Sequence, residues 1–147
     1  MISLYGNTIS WTTRKQTTVA LSSTEAEYVS LSQSSCEAIW LKNLLSQFGI
    51  VKDIPLIIYE DNQSCICIAE EPRDQKRMKH LDIRYNFIRE CIENGVISVK
   101  YIPTSEQVAD VLTKSLSAGT FKRHRLALGV QESAEEIFRE ATIERGC

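Results

Sequence analysis

A chain of 147 residues, 43% hydrophobic and 24% charged, is long enough to bury a core of its own and is unlike a disordered, collagen-like or membrane-spanning polypeptide. Its net charge of −2 is uneven, because the segment from Gln131 onward carries five glutamates against Arg139 and Arg145, a net −3 that leaves +1 on residues 1–130. That balance does not announce a nucleic-acid binder and leaves only local basic patches, Lys76-Arg77-Met78-Lys79 and Lys122-Arg123-His124-Arg125, for which a solvated surface is the ordinary explanation.

In chain order, Met1–Tyr5 and Thr8–Trp11 are short apolar and β-branched runs around Gly6-Asn7, a pair that tolerates positive φ, and read as a hairpin. The basic segment Thr12 to Gln16 is a connector on which Arg14 and Lys15 face solvent or phosphate. Ser22-Ser23-Thr24-Glu25 has the hydroxyl and carboxylate spacing of a capping box, and Val29, Cys36, Trp40, Leu44 and Phe48, joined by Ile39 and Leu45, predict the apolar stripe of a long helix stopped at Gly49. After Pro55, Leu56-Ile57-Ile58-Tyr59 is a continuous apolar run of the kind covered on both faces. It ends in Glu60-Asp61, and Asn62 to Glu71 open a short helix. Lys76 to Asn94 is a second long helix on Leu81, Tyr85, Ile88 and Ile92, closed by Asn94-Gly95. Val96 to Ile102 is a strand with Ile97, Val99 and Tyr101 on one face. Thr104-Ser105-Glu106-Gln107 repeats the capping pattern ahead of a helix with Val108, Val111, Leu112 and Leu116 on its apolar side and Asp110 turned away from it. Ala118 to Leu128 is a further helix with a basic face, and Gln131 to Arg145 an acidic one. Strands and helices alternate without a linker, which predicts a single α/β domain over 1–130 followed by an acidic helical tail, 131–147.

The five cysteines, at 36, 65, 67, 91 and 147, form no spaced pairs and read as reduced intracellular thiols, with Cys36, Cys65 and Cys91 at core-like positions. Zinc held by Cys65, Cys67, Cys91 and His80 is a competing reading that rests on Cys-x-Cys alone. Three carboxylates carry more interest: Glu27 early in the first long helix, Asp61 at a strand's carboxyl end, where α/β folds place ligands, and Asp110 on a late helix. Each has an ordinary alternative. Glu27 fits a surface glutamate, Asp61 a helix cap, and Asp110 an i,i+4 partner of Lys114.

The ordered blocks Thr8-Ile9-Ser10-Trp11, Arg14-Lys15-Gln16, Leu21 to Tyr28, Asp61-Asn62-Gln63-Ser64, Lys79 to Tyr85, Phe87 to Glu90 and Ala109 to Lys114 resemble the ribonuclease H domain at the carboxyl end of copia-type LTR-retrotransposon Pol polyproteins, over about Asn7 to Val130. The resemblance implies a ribonuclease H-like mixed sheet with flanking helices. It also implies cleavage of the RNA strand of RNA:DNA hybrids by two divalent ions, usually magnesium, held by clustered carboxylates. By that resemblance Glu27, Asp61 and Asp110 correspond to three of the four metal-binding acids, Glu27 being taken over Glu25 because it precedes the large residue Tyr28. Arg14, Lys15, Asn62 and Gln63 are the residues expected to touch nucleic acid.

The family's first acid is an Asp on a strand that precedes the hairpin, central in the sheet and beside the strand carrying Asp61. No Asp occurs before Asp53, so the chain matches an N-terminally truncated domain lacking that strand and that ligand. Leu56 to Tyr59 is then expected to miss one neighbour, to be supplied by the hairpin, by a second copy or by another part of a Pol polyprotein. No His stands between Tyr101 and Gln107, where cellular ribonucleases H place one. Two functions follow: a ribonuclease H-like enzyme impaired or inactive as this chain alone, or a non-catalytic nucleic-acid- or protein-binding remnant. Both are expected inside the cell, in cytoplasm or nucleus, and neither needs a membrane.

Overall fold

The computed structural model describes residues 1–13, 15–16, 19–51, 54–70 and 82–130. The chain divides into two compact units, residues 14–107 and a second formed by residues 1–13 with those from Val108 onward. The 131–147 tail, His80 and the patch at 76–79 lie outside the described residues.

In the larger unit, α1 (Ser23–Gln47) begins where the sequence predicts. Ser22 is extended, at φ −151° and ψ 161°, and its Oγ accepts the Glu25 amide at 3.1 Å. Glu25 is buried and its Oε2 accepts the Leu21 amide at 2.7 Å, one residue before the usual capping-box partner. Gly49, at φ +69°, ends the helix in the left-handed conformation that costs glycine nothing. Lys42 Nζ donates to Ile54 O at 2.8 Å and ties the chain entering β3 (Leu56–Glu60) back to α1.

β3 lies parallel to β4 (Ile97–Tyr101), Leu56 opposite Ile97 through Glu60 opposite Tyr101. Between them run α2 (Gln63–Glu70) and α3 (Asp82–Glu93), the crossover that a parallel pair requires. Gly95, at φ +66°, reverses the chain after α3, and Val96 N donates to Cys91 O at 2.8 Å. The core gathers Tyr28, Val29 and Leu31 of α1, Cys65 and Ala69 of α2, Tyr85 and Ile88 of α3, and Ile97 and Val99 of β4. Tyr28 stacks on Tyr85 with ring centroids 4.2 Å apart.

Two sequence expectations fail in this unit. The buried face of α1 matches the predicted stripe only in part: Val29 is buried and Ile39 packs on the core, but Cys36 is exposed and Trp40 and Phe48 are 63% and 71% exposed, whereas Tyr28, Leu31, Ser32 and Ser35 are buried. Small serines let the neighbouring helices come close, and Ser35 Oγ satisfies itself on Leu31 O at 2.8 Å, so a search for apolar residues alone misplaces the face. β3 is covered on one side only. Leu56 and Ile58 turn inward, while Ile57 and Tyr59 are 50% and 54% exposed.

The second unit holds the hairpin of β1 (Ile2–Leu4) and β2 (Asn7–Ser10), antiparallel with Leu4 opposite Asn7. Its turn is therefore Tyr5-Gly6 rather than Gly6-Asn7, both at positive φ (50° and 80°), the type I′ geometry of two-residue hairpins. The hairpin is a sheet of its own, separate from β3 and β4. The helix predicted after Pro103 is instead two 3₁₀ turns, Thr104–Glu106 and Val108–Leu112, the first without a side-chain cap. α4 (Ala118–Ala127) follows, capped by Ser117, whose Oγ accepts Thr120 N at 3.4 Å, and packs on the second 3₁₀ turn with His124 buried.

Candidate functional site

The carboxyl end of β3 brings three acids together. Glu60 is in phase with Leu56 and Ile58, so the two-residue period of the strand turns it inward, and it is 6% exposed. Glu27, one turn into α1, and Asp61, the next residue on the chain, are the like-charged neighbours that act on it. Burial above all, with Glu27 and Asp61 adding to it, pushes the Glu60 carboxyl from 4.5 up to about 7 against the opposing hydrogen bond from the Asn62 amide. That bond, Asn62 N to Glu60 Oε1, measures 3.0 Å.

Asp61 is half-buried in a tightly held turn. Before it, Glu60 O accepts the Ile102 amide at 3.0 Å. After it, Asn62 Oδ1 accepts Cys65 N at 3.1 Å and Asn62 O accepts Ile66 N at 3.1 Å, which makes Asn62 the cap of α2. The capping role considered for Asp61 therefore falls to Asn62. Gln63 and Lys15 are exposed, and Arg14 lies outside the described residues. Glu60 is the residue sequence reading missed: the strand was ended at Tyr59, although the alternation through Leu56 and Ile58 continues to it.

Asp110 belongs to the other unit. It is 8% exposed rather than turned to solvent, because the chain there is 3₁₀ rather than α-helical, and its Oδ1 receives Lys114 Nζ at 2.9 Å. The structure thus brings Glu27 and Asp61 together around Glu60 and gives Asp110 the lysine partner its spacing allowed.

The oxygen donors suit a hard cation, but a two-ion site needs several such ligands. Among the described residues no group of three or more His, Cys, Asp or Glu side chains is arranged to hold a metal ion. The acids present do not fit a complete magnesium site. Of the residues considered for zinc, Cys65 and Cys91 are buried, Cys67 is exposed and His80 lies outside the described residues, and burial pushes the Cys65 thiol well up. No helix among the described residues is long and apolar enough to cross a membrane.

The chain is 41% identical over 122 residues to the retrovirus-related Pol polyprotein from transposon RE1 of Arabidopsis thaliana, covering 83% of this chain and 8% of that polyprotein. It is 40% identical over 122 residues to that from transposon RE2 of the same plant, again 83% of this chain and 8% of the relative. Against that from transposon TNT 1-94 of Nicotiana tabacum it is 36% identical over 128 residues, 87% of this chain and 10% of the relative. The chain is therefore a homologue of one segment of retrovirus-related transposon Pol polyproteins and spans about a tenth or less of their length. No family model and no solved structure matches it.

Proposed function

We propose that this chain is the ribonuclease H-type segment of a retrotransposon Pol polyprotein, that it engages RNA:DNA hybrid, and that by itself it does not cut. The observation that carries the reading is Asp61 at the carboxyl end of a parallel strand, with Glu27 and Asp61 both acting on the Glu60 carboxyl there, in a chain homologous to transposon Pol. In this reading β3 and β4 stand for the two parallel strands of the ribonuclease H sheet, and the exposed Lys15 and Gln63 of the same unit meet the nucleic acid. Cleavage would call on magnesium to activate water and steady the leaving oxygen. Glu27 and Asp61 would be among its ligands, and what favours a binder of hybrid over a nuclease is that, among the described residues, these acids are not arranged to hold a metal ion.

The test is a titration of fluorescent RNA:DNA hybrid with the intact chain at rising salt. Affinity should fall steeply with salt, as phosphate contacts dictate, and Asp61→Asn should leave it unchanged. A chain that binds no hybrid even at low salt would overturn the nucleic-acid part of the reading.

A further inference from the structure

Two thiols meet on one seam between α1 and α3, which pack together in the larger unit. Glu27 acts on Glu60 at the carboxyl end of β3, and Lys42 Nζ donates to Ile54 O just before its start, so α1 runs against the strand. α3 runs the same way as α1. Val96 N donates to Cys91 O and Leu56 N to Val96 O, which puts the carboxyl end of α3 at the start of β3, while Tyr85, nearer its other end, stacks on Tyr28. The two helices are therefore parallel, and the stack sets their register. Beyond it, Cys36 stands ~12 Å along α1 from Tyr28 and Cys91 ~9 Å along α3 from Tyr85, at ~1.5 Å per residue. At ~100° per residue Cys36 is turned roughly 80° from Tyr28 in one sense and Cys91 roughly 120° from Tyr85 in the other. On parallel helices opposite senses lead to the same side of the contact. Each thiol also borders a fully buried residue, Cys36 beside Ser35 and Cys91 one turn after Ile88. Burial, Glu90 and Cys36 together push the Cys91 thiol up, so the two sulfurs are within each other's electrostatic reach.

We propose that Cys36 and Cys91 are a reversible redox pair, closed into a disulfide between α1 and α3 by a small disulfide of the oxidised glutathione type. Cys36, the exposed thiol, loses its proton and attacks one sulfur of that oxidant. The oxidant's S–S bond breaks, a mixed disulfide forms on Cys36, and the first glutathione leaves as a thiol that takes up the proton. Cys91 then loses its proton and attacks the Cys36 sulfur, and the second glutathione leaves as a thiol. Two protein thiols are oxidised and one oxidant disulfide is reduced to two thiols. The new bond encloses β3 and α2, so it restrains the unfolded chain and raises the melting temperature until a reductant opens it.

The test treats the intact chain, at low micromolar concentration, with oxidised glutathione and compares it with the same chain in dithiothreitol. The oxidised monomer should lose the mass of two hydrogen atoms, yield a peptide pair joined through Cys36 and Cys91, and melt at a higher temperature, all reversed by dithiothreitol. Cys36→Ser, at an exposed position, should abolish the loss of hydrogen and the shift in melting. Cys67→Ser, at an exposed thiol of α2, should behave like the parent. A parent whose mass does not fall, or that keeps only glutathione adducts, overturns the proposal. So does a loss of two hydrogens that survives Cys36→Ser, or a joined peptide that contains Cys65, Cys67 or Cys147 in place of either partner.

Discussion

Glu60 is a buried carboxylic acid on which two other carboxylates act, so its proton belongs to the energetics of the fold. The unfolded chain releases it near 4.5 and the folded chain near 7. Between those values the folded state holds more protons, and stability falls as pH rises through that window, then levels off above it. The scale is on the order of 3 kcal/mol. Glu60→Gln keeps an acceptor for the Asn62 amide and removes the charge. Urea unfolding from pH 5 to 8 should show a flatter pH limb for Glu60→Gln and greater stability than the parent at pH 8, and an unchanged slope would contradict this assignment. Tyr28 makes a second case. Its ring is fully buried against Tyr85, and its hydroxyl has no hydrogen-bond partner among the described residues, so burial drives its pKa upward. Tyr28→Phe should therefore keep the stack and leave the melting temperature equal or higher, since an unsatisfied buried hydroxyl costs about 1–3 kcal/mol. Tyr28→Ala should cost about 3–5 kcal/mol.

At the level of elements, the clearest sequence signals were local and chemical. The Ser22 to Glu25 cap, the turn after α3 at Gly95 and the strand-to-helix turn at Asp61-Asn62 each fall where their residues predict, because a cap or a left-handed glycine depends on a few adjacent atoms. Ser22→Ala should accordingly destabilise the chain by about 1 kcal/mol in urea unfolding, with α1 otherwise intact. What failed were inferences about which face is covered. On α1 the serines at 32 and 35 belong to the core face and Trp40 does not, a phase that hydrophobicity alone cannot supply. Beyond Pro103 the apolar spacing of Val108, Val111 and Leu112 suits an α-helix, yet the chain forms 3₁₀ turns, and Asp110 is consequently buried beside Lys114 instead of facing outward. On β3 the apolar run suggests two covered faces, but Ile57 and Tyr59 are half exposed, because coverage depends on which other elements arrive.

For the whole molecule, the chain is homologous to one segment of retrovirus-related transposon Pol polyproteins, and the carboxyl end of its β3 carries Glu60 with Glu27 and Asp61 acting on it. Asp61 and Glu27 were legible because their local patterns are distinctive. Whether enough acids meet was not legible, since it depends on tertiary placement across distant parts of the chain. If no metal is held, adding a chelator or magnesium should leave the melting temperature of the intact chain unchanged, whereas a bound ion would raise it by mass action. The most direct measurement of the central claim is cleavage of an end-labelled RNA:DNA hybrid by the purified chain with and without magnesium. The RNA should stay intact in both, for the parent and for Asp61→Asn alike. Magnesium-dependent cutting by the parent that Asp61→Asn abolishes would contradict it.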